Sequence, residues 1–362
     1  MIYLDSAATT KPAAKVIDEV KECMTNIWGN PSSPHVIGRR AKMILEESRE
    51  KIAATINADP DQIIFTSGGT EANNIVLQGI GRYIYVSSIE HHSILNEDIC
   101  STKIPVNKSG IVISKFLEET LDNDGLVSIM MTNNEIGTVQ NIKELAEITH
   151  EHKGLFHTDA VAAYGHQLID VKYLNVDFMT VSGHKWGAPK GVGFLYVKKK
   201  EDLFFPLEYG GKQEFRLRPG TENIAYIYAM ANRAKELYDS KSYAYNWVFS
   251  DMRTRLIEEL QYINGFNMNS PVKGQPNILN FRIDGIDSQQ LIAMLDERGF
   301  CVSAGSACTS GLATPSHVLR AIGLTEEQAK SSIRVSFDFD TKLHDLILFA
   351  EAVKRCVSAL RY

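Results

Sequence analysis

The chain has 362 residues, 44% hydrophobic and 23% charged, with a formal net charge of -6; this length buries a substantial core, predicts two or three domains, and the composition fits a soluble globular protein. The acidic balance leaves no electrostatic footprint for nucleic acid, so direct nucleic-acid binding is not expected. No charged-then-apolar leader opens the chain and no apolar run approaches the roughly 20 residues that span a bilayer, so no membrane association and a cytoplasmic location are expected.

Residues 62–67 read as a strand that feeds Gly68-Gly69-Thr70-Glu71 and then a helix. Residues 83–87 and 126–132 are further short apolar runs, helical periodicity returns over 142–152, and strands follow at 155–158, 177–181 and 191–197. Strands separated by helices at this spacing predict a mostly parallel central sheet covered by helices, an α/β large domain over 15–240. Beyond the Ser/Tyr-rich stretch 239–245 come a helix at 247–262, a strand at 278–283, a helix at 288–298 and a strand at 301–303. A helix near 317–322, a strand at 333–337 and a closing helix at 342–360 complete the pattern. Fewer strands with more helices between them predict a smaller α+β domain, residues 1–14 and 241–362.

Several residues carry chemistry. Lys185, in Ser182-Gly183-His184-Lys185, follows a strand in a buried sheet, where partial desolvation leaves an amine able to form a Schiff base with a carbonyl cofactor such as pyridoxal phosphate. Gly68-Gly69-Thr70 lies where a strand hands over to a helix, so backbone N–H groups and a hydroxyl can hold an anion. Ser182 and His184 add donors if the fold brings them near Thr70. Asp159, at a strand end, can keep the ring nitrogen of an electron-sink cofactor protonated, and Glu90-His91-His92 can present an imidazole to stack on the ring. Taken singly, each has a plainer reading as a solvated lysine, a helix cap, a strand-end turn residue or loop histidines.

The five cysteines are odd in number and scattered, without zinc-like spacing, so neither a disulfide framework nor a structural metal is expected. Four are expected to pack in the core. Cys308 differs, because Gly305-Ser306-Ala307-Cys308-Thr309-Ser310-Gly311 is a run of small residues that reads as a mobile loop displaying its thiol.

With these residues assembled, the chain resembles the NifS/IscS-type cysteine desulfurases, pyridoxal-phosphate enzymes of the class V aminotransferase group with the type I fold. The resemblance runs almost end to end. It includes Tyr3-Leu4-Asp5-Ser6-Ala7-Ala8-Thr9-Thr10, Asn133-Asn134-Glu135-Ile136-Gly137, Phe156-His157-Thr158-Asp159-Ala160, Gly210-Gly211-Lys212-Gln213-Glu214, Arg218-Pro219-Gly220-Thr221-Glu222-Asn223 and Ser331-Ser332-Ile333-Arg334-Val335-Ser336.

The resemblance implies that Lys185 carries the cofactor, His91 stacks on its ring and helps move protons, and Asp159 binds the ring nitrogen. It implies that Gly69, Thr70, Ser182 and His184 hold the phosphate, with Asn134 beside the ring oxygen and the substrate. Thr221 would complete the phosphate site of a second subunit, hence a homodimer, and Arg334 would pair with the substrate carboxylate. The implied reaction converts L-cysteine to L-alanine, leaves a persulfide on Cys308, and passes the sulfur to an iron–sulfur scaffold or a tRNA- or cofactor-thiolation enzyme. The interval between Cys308 and Pro315 matches the long-loop members.

Three positions depart from the family pattern: Ala162 where a glutamine is usual, Gly187-Ala188-Pro189 after the lysine, and Asp338 in place of a glycine. The alternatives are selenocysteine lyase or another class V lyase or aminotransferase, with the Cys308 loop counting against plain transamination, and a degenerate sulfur-transfer scaffold, against which Lys185, Asp159 and Cys308 count and for which Ala162 and Asp338 count.

Overall fold

The structure, a computed structural model, describes residues 1–95, 101–122, 124–203, 205–305 and 315–361, apart from the side chains at 242 and 243. In chain order the first half contains β1 (Ile2–Tyr3), α1 (Ala14–Asn26), α2 (Val36–Thr55), β2 (Ile63–Thr66), α3 (Gly69–Gly79), β3 (Ile84–Ser87), β4 (Ser101–Ile104), α4 (Ser114–Thr120), β5 (Leu126–Ser128), α5 (Ile142–Glu151), β6 (Leu155–Asp159), α6 (Val171–Leu174), β7 (Phe178–Ser182) and β8 (Gly193–Val197). The second half contains α7 (Ile224–Asp239), α8 (Asn246–Leu260), β9 (Phe266–Met268), β10 (Ile278–Ile283), α9 (Ser288–Asp296), β11 (Phe300–Cys301), α10 (His317–Ala321), α11 (Glu326–Lys330), β12 (Ser332–Ser336) and α12 (Leu343–Leu360).

The central sheet has seven strands in the order β2-β8-β7-β6-β5-β3-β4. The run from β7 to β4 is parallel throughout, as the βα alternation predicts. Strand β8 is antiparallel to both neighbours. Residues 183–192, which join it to β7, are too few for the dozen-residue crossover that a parallel partner needs.

Every residue of β7 and β8 is buried, as a sheet covered on both faces requires. The period of two sorts these side chains: Phe194 and Tyr196 join one apolar cluster, Leu195 and Val197 the cluster on the opposite face. A third cluster gathers Leu4, Phe249, Phe281, Val335 and Phe349 around the antiparallel sheet β12-β10-β9. Strand β1 pairs in parallel with β11, which threads residues 4–10 between this cluster and the central sheet's site.

The predicted strand over 126–132 stops at Ser128, because the chain beyond it bends into a turn closed by Asn133 N–H to Thr138 O at 2.8 Å. Strands β4 and β9 have no counterpart in the sequence reading. Both are short and mostly half-buried, so neither shows a clean alternation. No helix among the described residues is long and apolar enough to cross a membrane.

Candidate active site

Strands β6 and β7 end side by side at Asp159 and Ser182, and β2, which runs in the same direction as β7, hands over to α3 at the same edge. Ligand crevices in α/β sheets form at these carboxyl ends. Here nine sequence-predicted residues, Gly69, Thr70, His91, Asn134, Asp159, Ser182, His184, Lys185 and Arg334, line one cavity of about 210 Å³.

At one end the N-terminus of α3 opens on the cavity. A Cβ on Gly69 would stand 2.9 Å from Val161 Cγ2, so glycine lets the first turn sit close against the end of β6. Its free N–H groups, the hydroxyls of Thr70 and Ser182, and His184 make a donor set suited to a phosphate. Burial, aided by Lys185 and Lys190, pushes the His184 imidazole down to about 4, so it is neutral and offers a single N–H. Its Nδ1 lies 3.1 Å from Thr9 Oγ1.

Asp159 is 5% exposed and accepts from Val161 N–H and from Asn73 Nδ2, each at 2.9 Å. Lys185 sits on a short 3-10 turn, and its Nζ donates to Ala7 O at 2.7 Å and Ala8 O at 2.9 Å. The N-terminal segment clamps that turn through Thr10, whose N–H donates to His184 O and whose hydroxyl accepts from Gly187 N–H at 2.7 Å. Gly187 has φ +86°, a conformation that suits glycine, so this departure from the family pattern fits the turn.

Arg334 is fully buried on β12, with NH2 donating to Asp5 Oδ1 at 2.6 Å and NH1 to Asn134 O at 3.0 Å. Its Nε has no partner among the described residues. Asp5 is in turn held by the Ser303 hydroxyl at 3.0 Å.

A carboxylate for a ring nitrogen, an amine for a carbonyl and a donor nest for a phosphate, in one cavity, fit pyridoxal phosphate. Residues 2–349 match the family described as Aminotransferase class-V. The cysteine desulfurase IscS of Methanosarcina thermophila is 39% identical over 99% of this chain and 93% of its own length. The solved NifS-like protein of Rickettsia africae superposes with a TM-score of 0.90 at 34% identity, covering 99% of each chain. SspA, solved in complex with cysteine, superposes at 0.82 and 31% identity over 93% of this chain and 99% of its own. The chain belongs to the class V aminotransferases, in the NifS/IscS group of cysteine desulfurases.

Of the two remaining expected site residues, one is placed outside the cavity. Thr221 is exposed and does not line it within the single chain. Cys308 lies outside the described residues, between Gly305 and Ser316; Ser316 Oγ donates to Glu135 Oε2 at 2.5 Å. Ala162 lines the cavity with a methyl group and no donor, whereas Asp338 lines a separate cleft of about 590 Å³ that also reaches Lys185.

Asn73, Ser93 and Asp5 are functional neighbours that sequence reasoning missed. Asn73 stands one helical turn after Thr70, a spacing that places both on one face of α3. Asp5 and Arg334 are 329 positions apart, and no local pattern signals their pairing.

Proposed function

We propose that this enzyme takes sulfur from L-cysteine, leaves L-alanine and stores the sulfur as a persulfide on Cys308, with Lys185, Asp159 and Arg334 meeting in one cavity as the observation that carries the reading. Bound pyridoxal phosphate supplies an electron sink for the pair released at the substrate α-carbon. The α3 N-terminus, Thr70, Ser182 and His184, which line this cavity, would hold the phosphate; Asp159 would keep a proton on the ring nitrogen; Asn134 would serve the ring oxygen and the substrate. Arg334 binds the substrate carboxylate, using donor capacity left over from Asp5 and Asn134.

Lys185 takes the α-proton, the carbonyls of Ala7 and Ala8 steadying its amine between transfers. His91, which lines the same cavity, would stack on the cofactor ring and help move protons. The Cys308 thiolate attacks the substrate sulfur, so that an S–S bond forms as the C–S bond breaks and the carbon fragment leaves, after protonation, as alanine. The persulfide sulfur then passes to an acceptor protein of iron–sulfur assembly or thiolation, a reading supported by the sequence interval between Cys308 and Pro315.

The exposure of Thr221, away from its own cavity, supports a homodimer in which it completes the partner subunit's phosphate site. A large domain over 15–240 and a small one over 1–14 and 241–362 is supported by the separate apolar cluster that Leu4 shares with residues from 249–300 and 333–357, although Val318, Leu319, Ile322 and Ala329 pack with the large domain's cluster. We place the enzyme in the cytoplasm.

The test is single: incubate the purified protein, loaded with pyridoxal phosphate, with L-cysteine and quantify alanine and protein-bound persulfide. Cys308→Ala should retain the cofactor absorbance and lose the persulfide, and borohydride reduction should label Lys185 in the parent. A label on another lysine, or persulfide retained by the variant, would overturn the assignment. Selenocysteine turned over much better than cysteine would select the lyase alternative.

A further inference from the structure

His91 has two ring nitrogens, and which of them holds the proton decides which atom of the ring can give one up. Four contacts fix the direction of the hydrogen bonds that link this ring to Asp159 through Asn73 and Ser93. The Asp159 carboxylate offers acceptors, so the group facing its Oδ2 at 2.9 Å is the Asn73 amide nitrogen, donating. The same nitrogen lies 2.9 Å from Ser93 Oγ. An amide N–H only donates, so the Ser93 oxygen accepts there and its own proton is left for another partner. That partner is His91 Nδ1, at 2.8 Å. The Ser93 backbone N–H also points at Nδ1, 3.1 Å away, and a backbone N–H can only donate.

We propose that Asn73 and Ser93 are positioning residues that hold His91 as the tautomer protonated on Nε2, with one buried amide keeping the ring in register with Asp159. Asn73 is 1% exposed, so bulk water does not compete for its two N–H groups. Its place on α3 ties the ring to the same helix whose N-terminus forms the phosphate end of the cavity. Nδ1 spends its lone pair on Ser93, which leaves Nε2 as the atom through which His91 exchanges a proton.

Burial lowers the His91 titration, with Lys185, His92 and His317 lowering it further and Asp159 opposing, so the neutral ring, for which tautomers exist, is the form that matters. The significance for catalysis rests on the place given to His91 in the proposed function. The hydrogen-bond geometry belongs to the chain itself.

The experiment reads the nitrogen chemical shifts of His91 by NMR in the cofactor-free protein labelled with nitrogen-15 histidine, above the ring's titration, the signal being assigned by its loss in His91→Gln. The parent should show Nδ1 bare and Nε2 protonated. Ser93→Ala removes one of two donors to Nδ1 and should raise the fraction protonated on Nδ1 about five-fold, the effect of one neutral hydrogen bond. Ser93→Thr restores the hydroxyl and should return the parent ratio. Asn73→Leu should move the ratio in the same direction as Ser93→Ala without touching the ring; if that buried variant does not fold, the half-buried Ser93 pair decides the matter.

A parent ring protonated on Nδ1, or Ser93→Ala with the parent ratio, would overturn the proposal. Alanine release is scored separately on the cofactor-loaded parent. Its failure would overturn the desulfurase reading and leave the tautomer result standing.

Discussion

Arg49 on α2 and Arg334 on β12 are both buried, with side chains 3% and 1% exposed, and each is paired with a carboxylate from a distant part of the chain. Arg49 is hydrogen-bonded at every nitrogen: Nε reaches Glu46, NH1 reaches Ile63 O and Glu214, NH2 reaches the other Glu214 oxygen, and the rings of Phe65 and Phe215 lie 4.8 and 5.3 Å from the guanidinium. Arg334 has one contact at each terminal nitrogen and an unpartnered Nε among the described residues, and it lines a cavity. A buried charge is tolerable only when matched and hydrogen-bonded, and donor capacity left on an arginine that lines a cavity supports the proposed carboxylate site. Arg49, bonded at all three nitrogens, does structural work instead. It holds Glu214, the first of three successive residues at positive φ (42°, 57° and 71°), in a backbone conformation that such side chains rarely adopt.

The largest effect expected from this contrast follows Glu214→Ala. It strands the Arg49 charge and should cost about 3–5 kcal/mol of stability in urea unfolding. The KM for L-cysteine of the folded fraction, measured at saturating cofactor, should stay unchanged. A loss below about 1 kcal/mol would mean that Glu46, the Ile63 carbonyl and the two aromatic rings already compensate the charge.

Arg334→Lys is the complementary break. Lysine keeps the charge and loses the fork, so the KM for L-cysteine should rise about ten- to a hundred-fold, the range for one charged hydrogen bond of about 1.5–3 kcal/mol. Retention of pyridoxal phosphate should be unaffected, and the loss of stability smaller than for Glu214→Ala. A large stability loss at unchanged KM would place Arg334 with Arg49 as a structural residue.

The same contrast explains what was legible beforehand. The apolar runs are local patterns, so they predict strand β10 over the six residues it occupies and β7 and β8 to within a residue or two. Lys185, Asp159 and Thr70 were legible because each stands where a strand hands over to a turn or helix, and parallel strands deliver those ends to one edge. Partners separated along the chain were not. Nothing near Arg334 announces Asp5, nothing near Arg49 announces Glu214, and the Asn73–Ser93 link joins a helix to the loop after another strand. Short edge strands such as β9 escaped because pairing, rather than residue pattern, creates them.

Glu90 supplies the third way to bury a charge, and the smallest effect per unit of perturbation. It is fully buried, accepts from the Ser87 hydroxyl and from Met130 N–H at 2.8 Å, and forms no ion pair among the described residues. Lacking an arginine, it keeps its proton: burial, seconded by the charge of Asp159, raises it from 4.5 to about 8 against the two hydrogen bonds. Between those values the folded protein holds a proton that the unfolded chain has released. The associated stability is therefore complete below pH 4.5 and declines as pH rises towards 8, by at most about 1.4 kcal/mol per pH unit.

Glu90→Gln keeps the shape and abolishes the titration, so the stability of the parent relative to the variant should fall across that window. His157, His166 and His184, whose burial lowers their titration to about 3, 4 and 4, push stability the other way as acid is added, but they are common to both proteins and cancel in the difference. Urea midpoints of parent and variant, measured side by side from pH 5 to 8, test this. Parallel curves would mean that Glu90 is ionised in the fold and has a cationic partner of its own.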